Sequence, residues 1–145
     1  MTRAFIFPGQ GSQTPGMGKD LADAFPEARH VFEEVDDALD QKLSKIIFEG
    51  PDSDLNLTEN TQPALMAVSM AVMRVLEKQG KLDLGKSAAF VAGHSLGEYA
   101  ALTAAGSFDI ATTAKLRNCA DNPCRRPCLS VSVPWPPSLA STLKM

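Results

Sequence analysis

The most constraining feature of the sequence is a serine flanked by glycines between two apolar segments. Residues 88–92 are Ala-Ala-Phe-Val-Ala, the next five are Gly93-His94-Ser95-Leu96-Gly97, and residues 96–105 are mostly small and apolar and end before Gly106. A short apolar run, a tight glycine turn and a helix-length apolar segment predict a strand that feeds sharply into a helix. Such a junction favours an α/β protein with parallel strands.

The G-x-S-x-G pattern predicts a nucleophile. A serine on a sharp strand-to-helix turn projects its hydroxyl from the carboxyl edge of the sheet, and glycines two positions away on either side allow the strand and helix to approach closely. The N–H of Leu96 at the helix start can then stabilise an oxyanion formed when Ser95 attacks an acyl carbon. The pattern alone is common, so an ordinary helix-capping serine remains the alternative.

A second loop is predicted near the N-terminus. Residues 4–7 are fully apolar and stop at Pro8-Gly9, which is typical of a buried parallel strand entering a turn. The segment 9–18 has four glycines in ten residues, yet it fits neither the dinucleotide fingerprint nor the P-loop, because positions 13 and 14 are Gln and Thr. Its glycines permit close backbone approach, so the loop around Gln10 is the predicted source of a second oxyanion donor.

Helical periodicity accounts for most of the remaining residues. The segment 26–39 predicts an amphipathic helix, with His30 and Asp36 assigned to its solvent face. A short helical piece is expected over 43–48 and a loop over 52–62. Pro63 then suits the first position of a long helix that extends to Gln79 and is apolar on nearly every side, which predicts burial all round.

Composition excludes several classes of function. A net charge of −3 and a pI near 5.3 give no electrostatic footprint for nucleic acid or an anionic membrane. No apolar run approaches the roughly 18 residues of a membrane-spanning helix, and the N-terminal apolar run is too short for a signal peptide. We therefore expect a cytoplasmic location, with neither nucleic acid nor membrane as a partner.

The composition changes near residue 117. Residues 1–116 carry ten Lys/Arg and sixteen Asp/Glu, whereas residues 117–145 carry four Lys/Arg and one Asp, half of the ten prolines and all three cysteines. These cysteines, at positions 119, 124 and 128, lack a fourth ligand for zinc, so no metal site is expected. We predict that residues 1–116 form one unit and that 117–145 are an atypical tail.

Three motifs together resemble one family. Phe7-Pro8-Gly9-Gln10-Gly11-Ser12-Gln13, Thr61-Gln62-Pro63-Ala64 and Gly93-His94-Ser95-Leu96-Gly97-Glu98-Tyr99 stand in the order and rough spacing found in malonyl-CoA:acyl carrier protein transacylases and related acyltransferase domains of fatty acid and polyketide synthesis. The similarity extends from residue 2 to about Leu116. The resemblance implies an α/β-hydrolase-like parallel sheet with flanking helices, here truncated and without the family's small ferredoxin-like subdomain.

The resemblance also implies a chemistry. Ser95 would accept malonyl from coenzyme A as an ester and pass it to the phosphopantetheine thiol of acyl carrier protein. The backbone amides of Gln10 and Leu96 would form the oxyanion hole, and Gln62 and His94 would line the substrate pocket. Family members use no metal and no bound cofactor. Coenzyme A enters the reaction as a co-substrate.

The sequence departs from the family pattern in its last third. The arginine that pairs with the malonyl carboxylate is expected at position 120, which is Ala, and Arg117, Arg125 and Arg126 are out of register. The histidine that acts as general base is not matched, because the two histidines of the chain are His30 and His94. We expect residues 1–116 to be the N-terminal part of the large acyltransferase subdomain. A shifted reading frame or disorder would explain residues 117–145. We also expect the truncation to impair malonyl transfer.

Two other functions are weighed against the transferase. A serine esterase of the α/β-hydrolase type would share the turn at Ser95 but would not account for the motifs at 9–13 and 61–63. A non-catalytic fragment that binds acyl carrier protein would keep a docking surface without the chemistry.

Overall fold

The computed structural model describes residues 3–118 and shows a mixed helix and strand architecture. The described part contains two strands, β1 (Arg3–Phe7) and β2 (Ala88–Gly93), and eight helices. These helices are α1 (Lys19–Ala24), α2 (Pro26–Leu39), α3 (Leu43–Glu49), α4 (Asp52–Leu55), α5 (Thr58–Lys78), α6 (Leu84–Ser87), α7 (Leu96–Ala104) and α8 (Ile110–Arg117).

The two strands pair in parallel, as the sequence predicts. Ala4 pairs with Phe90, Ile6 with Ala92 and Phe7 with Gly93, so both strands end at the same edge of the sheet. Parallel neighbours need a long crossover, and residues 8–87 supply it with helices α1 to α6. This pairing places the glycine-rich loop that follows β1 beside the turn that follows β2.

The predicted burial of the strands is wrong for one of their two faces. Phe5, Phe7 and Val91 face the helices and join the core, whereas Ile6 is 78% exposed and Phe90 is 62% exposed. Successive side chains of a strand alternate between faces, and a parallel sheet is buried only when both faces carry a layer. The described residues cover one face and leave the other open.

The core lies around α5, which packs against α2, α7 and α8. Its side chains Met66 and Met70 are fully buried beside Val31 and Val35 of α2, so the methionines fill the core as expected. The prediction that this helix is buried on all sides holds for its first half. It is wrong near the C-terminal end, where Val72 and Leu76 are exposed.

The predicted loop over 52–62 is wrong, because α4 occupies Asp52–Leu55 and α5 begins at Thr58 rather than at Pro63. Buried side-chain hydrogen bonds hold this start. The Thr61 hydroxyl donates to the Leu55 carbonyl, and Asn60 Nδ2 donates to the Asp54 carbonyl at 2.9 Å. Polar residues that look loop-like in sequence are here satisfied within the fold, and Pro63 removes one intrahelical hydrogen bond near the helix start.

Asp36 was assigned to the solvent face of α2, and the structure contradicts this because the residue is buried. Its carboxylate accepts hydrogen bonds from the Ser44 N–H at 2.8 Å and from the Ser44 hydroxyl at 2.7 Å. The first N–H groups of a helix lack intrahelical acceptors. Asp36 therefore caps α3 from the neighbouring helix. Such a long-range partner has no signature in the helical periodicity.

Residues 119–145 lie outside the described residues, and with them the predicted atypical tail apart from Arg117 and Asn118. Arg117 is the last residue of α8. Among residues 3–118, no helix combines the length and apolar character required to cross a membrane.

We predict that Asp36→Ala lowers the free energy of unfolding by about 2 kcal/mol, because hydrogen bonds to a charged acceptor are lost and the start of α3 loses its cap. Urea denaturation of the 145-residue chain measures the effect. Asp37→Ala removes an exposed carboxylate from the next position of α2 and is the matched control, expected to change stability by less than about 0.5 kcal/mol. Equal losses in the two variants would contradict the capping role.

Candidate active site

The site is built on the sharp turn between β2 and α7, which confirms the predicted strand–turn–helix junction. β2 ends at Gly93 and α7 begins at Leu96, so His94 and Ser95 alone make the turn. Ser95 has φ 54° and ψ −114°. Such a conformation costs a non-glycine residue about 1–3 kcal/mol and persists where the surrounding packing imposes it.

The two motif glycines impose this packing. A Cβ on Gly93 would overlap the backbone of Gly97, and a Cβ on Gly97 would overlap the Phe7 carbonyl and lie 2.7 Å from the Pro8 oxygen. Glycine at both positions thus lets the first turn of α7 rest directly on the end of β1. The same contact brings the start of the Pro8–Gly18 loop beside Ser95.

Ser95 is exposed and does not act as an ordinary capping residue. It occupies the N-cap position of α7, yet its side chain makes no capping hydrogen bond. The capping-serine alternative is therefore wrong in this structure. The Leu96 N–H belongs to the first turn of α7, where helix N–H groups lack intrahelical acceptors, so it is available to an oxyanion.

The glycine-rich loop begins against the same turn. The His94 N–H donates to the Phe7 carbonyl at 3.4 Å, and a Cβ on Gly9 would lie 2.9 Å from the His94 oxygen and 3.0 Å from the imidazole Cδ2. Gln10, the next residue, is exposed. The structure thus places the loop predicted to supply the second oxyanion donor next to the turn that carries Ser95.

Two side chains that sequence reasoning missed hold this loop. The Ser12 hydroxyl donates to the Gly9 carbonyl at 3.0 Å, and the Gly11 N–H donates to Gln13 Oε1 at 2.8 Å. Gln13 Nε2 donates in turn to Asn56 Oδ1 at 2.7 Å, just after α4. The available sequence signal was the presence of long-reach polar side chains among glycines, but their partners could not be read from the chain.

The other predicted pocket residues occupy different positions. Gln62 is half-buried on α5, which packs against α7, and its role stays a prediction. His94 is exposed beside Gly9 in the turn itself. His30 lies on the exposed side of α2, with Nδ1 3.1 Å from Glu33 Oε2, which confirms the predicted solvent-facing position.

Arg117, the out-of-register arginine that the structure describes, is engaged elsewhere. Its guanidinium carbon lies 3.5 Å from the centre of the Tyr99 ring, a cation–π contact between α8 and α7. The expected carboxylate-binding position, residue 120, lies outside the described residues. The contact with Tyr99 therefore gives Arg117 a packing role between the two helices.

Asp109 fixes the helix that packs behind the site. Its side chain accepts a hydrogen bond from the Thr112 N–H at the start of α8, and this bond lowers the pKa of the Asp109 carboxyl. Within residues 3–118, no three His, Cys, Asp or Glu side chains cluster so as to hold a metal ion.

A serine exposed on a strained strand-to-helix turn, beside backbone amides that can face an oxyanion, is the arrangement of enzymes that carry acyl groups on serine. Residues 4–118 match the family described as the acyl transferase domain, and the chain belongs to this family.

Relatives and solved structures agree. The chain is 51% identical over 104 residues to the malonyl CoA-acyl carrier protein transacylase of Bacillus subtilis strain 168, covering 72% of this chain and 31% of the relative. It is 48% identical over 113 residues to the protein of the same description from Escherichia coli K12, covering 78% and 35%.

The crystal structure of an acyl-carrier-protein S-malonyltransferase from Bartonella henselae superimposes with a TM-score of 0.80 at 64% identity, covering 81% of this chain and 37% of that one. A complex described as a type II PKS acyl-carrier protein with its malonyl-transacylase matches with a TM-score of 0.75 at 45% identity, covering 81% and 37%. The chain therefore spans about a third of the length of the relatives that it matches.

We predict that the free energy of unfolding is about 1 kcal/mol higher for Ser95→Gly than for Ser95→Ala. Glycine adopts positive φ without strain, whereas alanine at this position remains strained. Thermal or urea unfolding of the two variants gives the difference. At Gly85, whose φ is not in the left-handed region and whose Cβ position would make an ordinary contact with Asp83 Oδ1 at 3.5 Å, Gly→Ala is the control for the intrinsic effect of the two residues. A Ser95→Ala variant more stable than Ser95→Gly would show that the turn is not strained.

Proposed function

We propose that this chain supplies the nucleophilic half of an acyl-carrier-protein S-malonyltransferase, with Ser95 as the residue that carries the acyl group. The observation that carries the proposal is the strained, exposed and uncapped Ser95 at the carboxyl end of β2, in a member of the acyl transferase family. We further propose that β1 and β2 belong to an α/β-hydrolase-like parallel sheet, which their parallel pairing and the turn at Ser95 support.

The proposed reaction has two displacement steps. Ser95 Oγ attacks the thioester carbonyl of malonyl-CoA, the new C–O bond forms, the C–S bond breaks, and the proton of the hydroxyl leaves with the coenzyme A thiol. The phosphopantetheine thiol of acyl carrier protein then attacks the ester, a new C–S bond forms, the C–O bond breaks, and the proton of that thiol passes to Ser95 Oγ. Each step passes through a tetrahedral oxyanion.

The chain's own residues offer two donors for that oxyanion. One is the Leu96 N–H, at the positive end of α7. The other is the N–H of Gln10, in the loop that the Gly97–Phe7 contact holds against the turn. Donors fixed in place before the reaction stabilise developing charge without reorganisation, so this packing would lower the barrier to both steps. Gln62 and His94 would line the acyl pocket.

The partners proposed are malonyl-CoA and acyl carrier protein, in fatty acid biosynthesis. The names of the relatives support both substrates, and the complex of a malonyl-transacylase with an acyl carrier protein supports the second. The proposal needs no metal and no bound cofactor, because the thioester carbonyl is itself reactive towards a serine nucleophile. It involves no nucleic acid or membrane, and we expect the protein in the cytoplasm.

We expect the proposed transfer to be slow when the 145-residue chain is assayed alone. Its histidines are His30, paired with Glu33 on α2, and His94, which packs beside Gly9, and the proposal assigns the general base to neither. A general base contributes about 10²–10⁴-fold to such steps. Residual acylation is expected because oxyanion donors stabilise the transition state without the base.

We predict that malonyl-CoA acylates Ser95 at a rate about 10²–10⁴-fold below that of a full-length relative. Intact-protein mass spectrometry over time measures the ester, and peptide mapping locates it. Ser95→Ala should abolish it, whereas Ser53→Ala, at an exposed serine on α4, should leave it unchanged.

Other outcomes separate the alternatives. Hydrolysis of a p-nitrophenyl ester faster than acyl transfer to a thiol would indicate an esterase. Binding of acyl carrier protein that persists in Ser95→Ala, without any acyl-enzyme, would indicate a non-catalytic binding fragment.

A further inference from the structure

The peptide unit between Gly9 and Gln10 is held at one end and free at the other. The Gly9 carbonyl accepts a hydrogen bond from the Ser12 hydroxyl at 3.0 Å. A trans peptide is planar, so its N–H points opposite to its carbonyl. The Gln10 N–H is therefore directed away from Ser12, and it has no hydrogen-bond acceptor within residues 3–118. The hydrogen bond to the Gly9 carbonyl therefore also fixes the direction of the Gln10 N–H.

The following peptide unit is fixed by Gln13. Gly11 has φ 106° and no side chain to limit its rotation. Its N–H donates to Gln13 Oε1 at 2.8 Å, and Gln13 Nε2 donates to Asn56 Oδ1 at 2.7 Å. Asn56 Nδ2 donates to Asp52 Oδ2 at 2.7 Å, which ties the loop to α4. One glutamine amide thus connects the glycine-rich loop to Asn56, the C-cap residue of α4, 43 residues away in sequence.

From these contacts we infer that Ser12 and Gln13 are positioning residues for the Gln10 N–H, which rests on the function proposed above. Ser12 orients the peptide that carries this donor, and Gln13 keeps the loop from swinging away from Ser95. A donor that must be reoriented during the reaction loses part of its stabilising effect. The inference gives the polar residues of the loop a role in rate rather than in substrate contact.

The test is the rate of Ser95 acylation by malonyl-CoA in the 145-residue chain. Ser12→Ala and Gln13→Ala should each lower the rate at saturating malonyl-CoA about tenfold, while the half-saturating concentration stays unchanged, because the donor acts on the oxyanion and not on the bound substrate. Ser12→Thr keeps the hydroxyl and should recover most of the rate. Gln13→Glu keeps the acceptor for Gly11 but loses the Nε2 donor to Asn56, so its rate should fall between those of the parent and Gln13→Ala.

Two matched variants control for the loss of a serine or glutamine contact elsewhere. Ser53→Ala removes an exposed hydroxyl that bonds Asp54, and Gln79→Ala removes an exposed glutamine that bonds Glu27 across 52 residues. Both should keep the parent rate. Amide hydrogen exchange at Gly11 should become about tenfold faster in Gln13→Ala and stay unchanged in Gln79→Ala. Unchanged exchange in Gln13→Ala would overturn the inference.

A fluorophosphonate probe separates this inference from the proposed function. It phosphonylates a reactive serine through the same oxyanion donors without requiring malonyl recognition. Labelling of Ser95 by the probe but not by malonyl-CoA would contradict malonyl transfer alone, and the tenfold losses in Ser12→Ala and Gln13→Ala would still be expected. Equal labelling rates in the parent and these variants would overturn the positioning role, and no labelling of Ser95 would overturn both proposals.

Discussion

The close approach of α7 to the end of β1 is the contact on which the rest of the site depends. With no side chain on Gly93 or Gly97, backbone rests on backbone where any Cβ would collide. That contact forces Ser95 into positive φ, exposes its hydroxyl at the sheet edge, and holds the loop after β1 beside it. The strain at one residue is sustained by packing spread over several elements. The backbone conformation of Ser95 and the position of the loop around Gln10 therefore both result from the contact between α7 and the end of β1.

The parts of this arrangement that follow local rules could be predicted from sequence. The strand–turn–helix around Ser95 follows from periodicity and glycine placement, and the loop at 9–18 follows from its glycine content. The amphipathic α2 was also predicted correctly, apart from Asp36. Its burial depends on Ser44, eight residues further along, and nothing in a helical wheel reports a partner on another helix. Interactions between residues of a single helix, strand or turn can therefore be predicted from the sequence.

Polar contacts between different elements explain most of the remaining errors. The segment 52–62 has the composition of a loop, yet it contains α4 and the start of α5, where Asn60 and Thr61 donate hydrogen bonds to the Asp54 and Leu55 carbonyls. Asn56, within the same segment, accepts a hydrogen bond from Gln13 of the glycine-rich loop. Helix propensity is an average over many structural contexts and takes no account of such specific partners, so it predicts a loop for this polar segment. The segment 52–62, which has the composition of a loop, thus links the glycine-rich loop at 9–18 to the helices.

The open face of the sheet determines which apolar surface the folded residues 3–118 present to other macromolecules. Ile6 and Phe90 lie on adjacent parallel strands and present an apolar surface that the described helices do not cover. Chaperones and proteases select surfaces of this kind, and so do other copies of the same chain at high concentration. Burial of this face under another layer and its capture by another protein therefore compete for the same apolar side chains. Although the turn that carries Ser95 forms within the described residues, the side of their sheet opposite the core keeps a surface of the kind that quality control recognises.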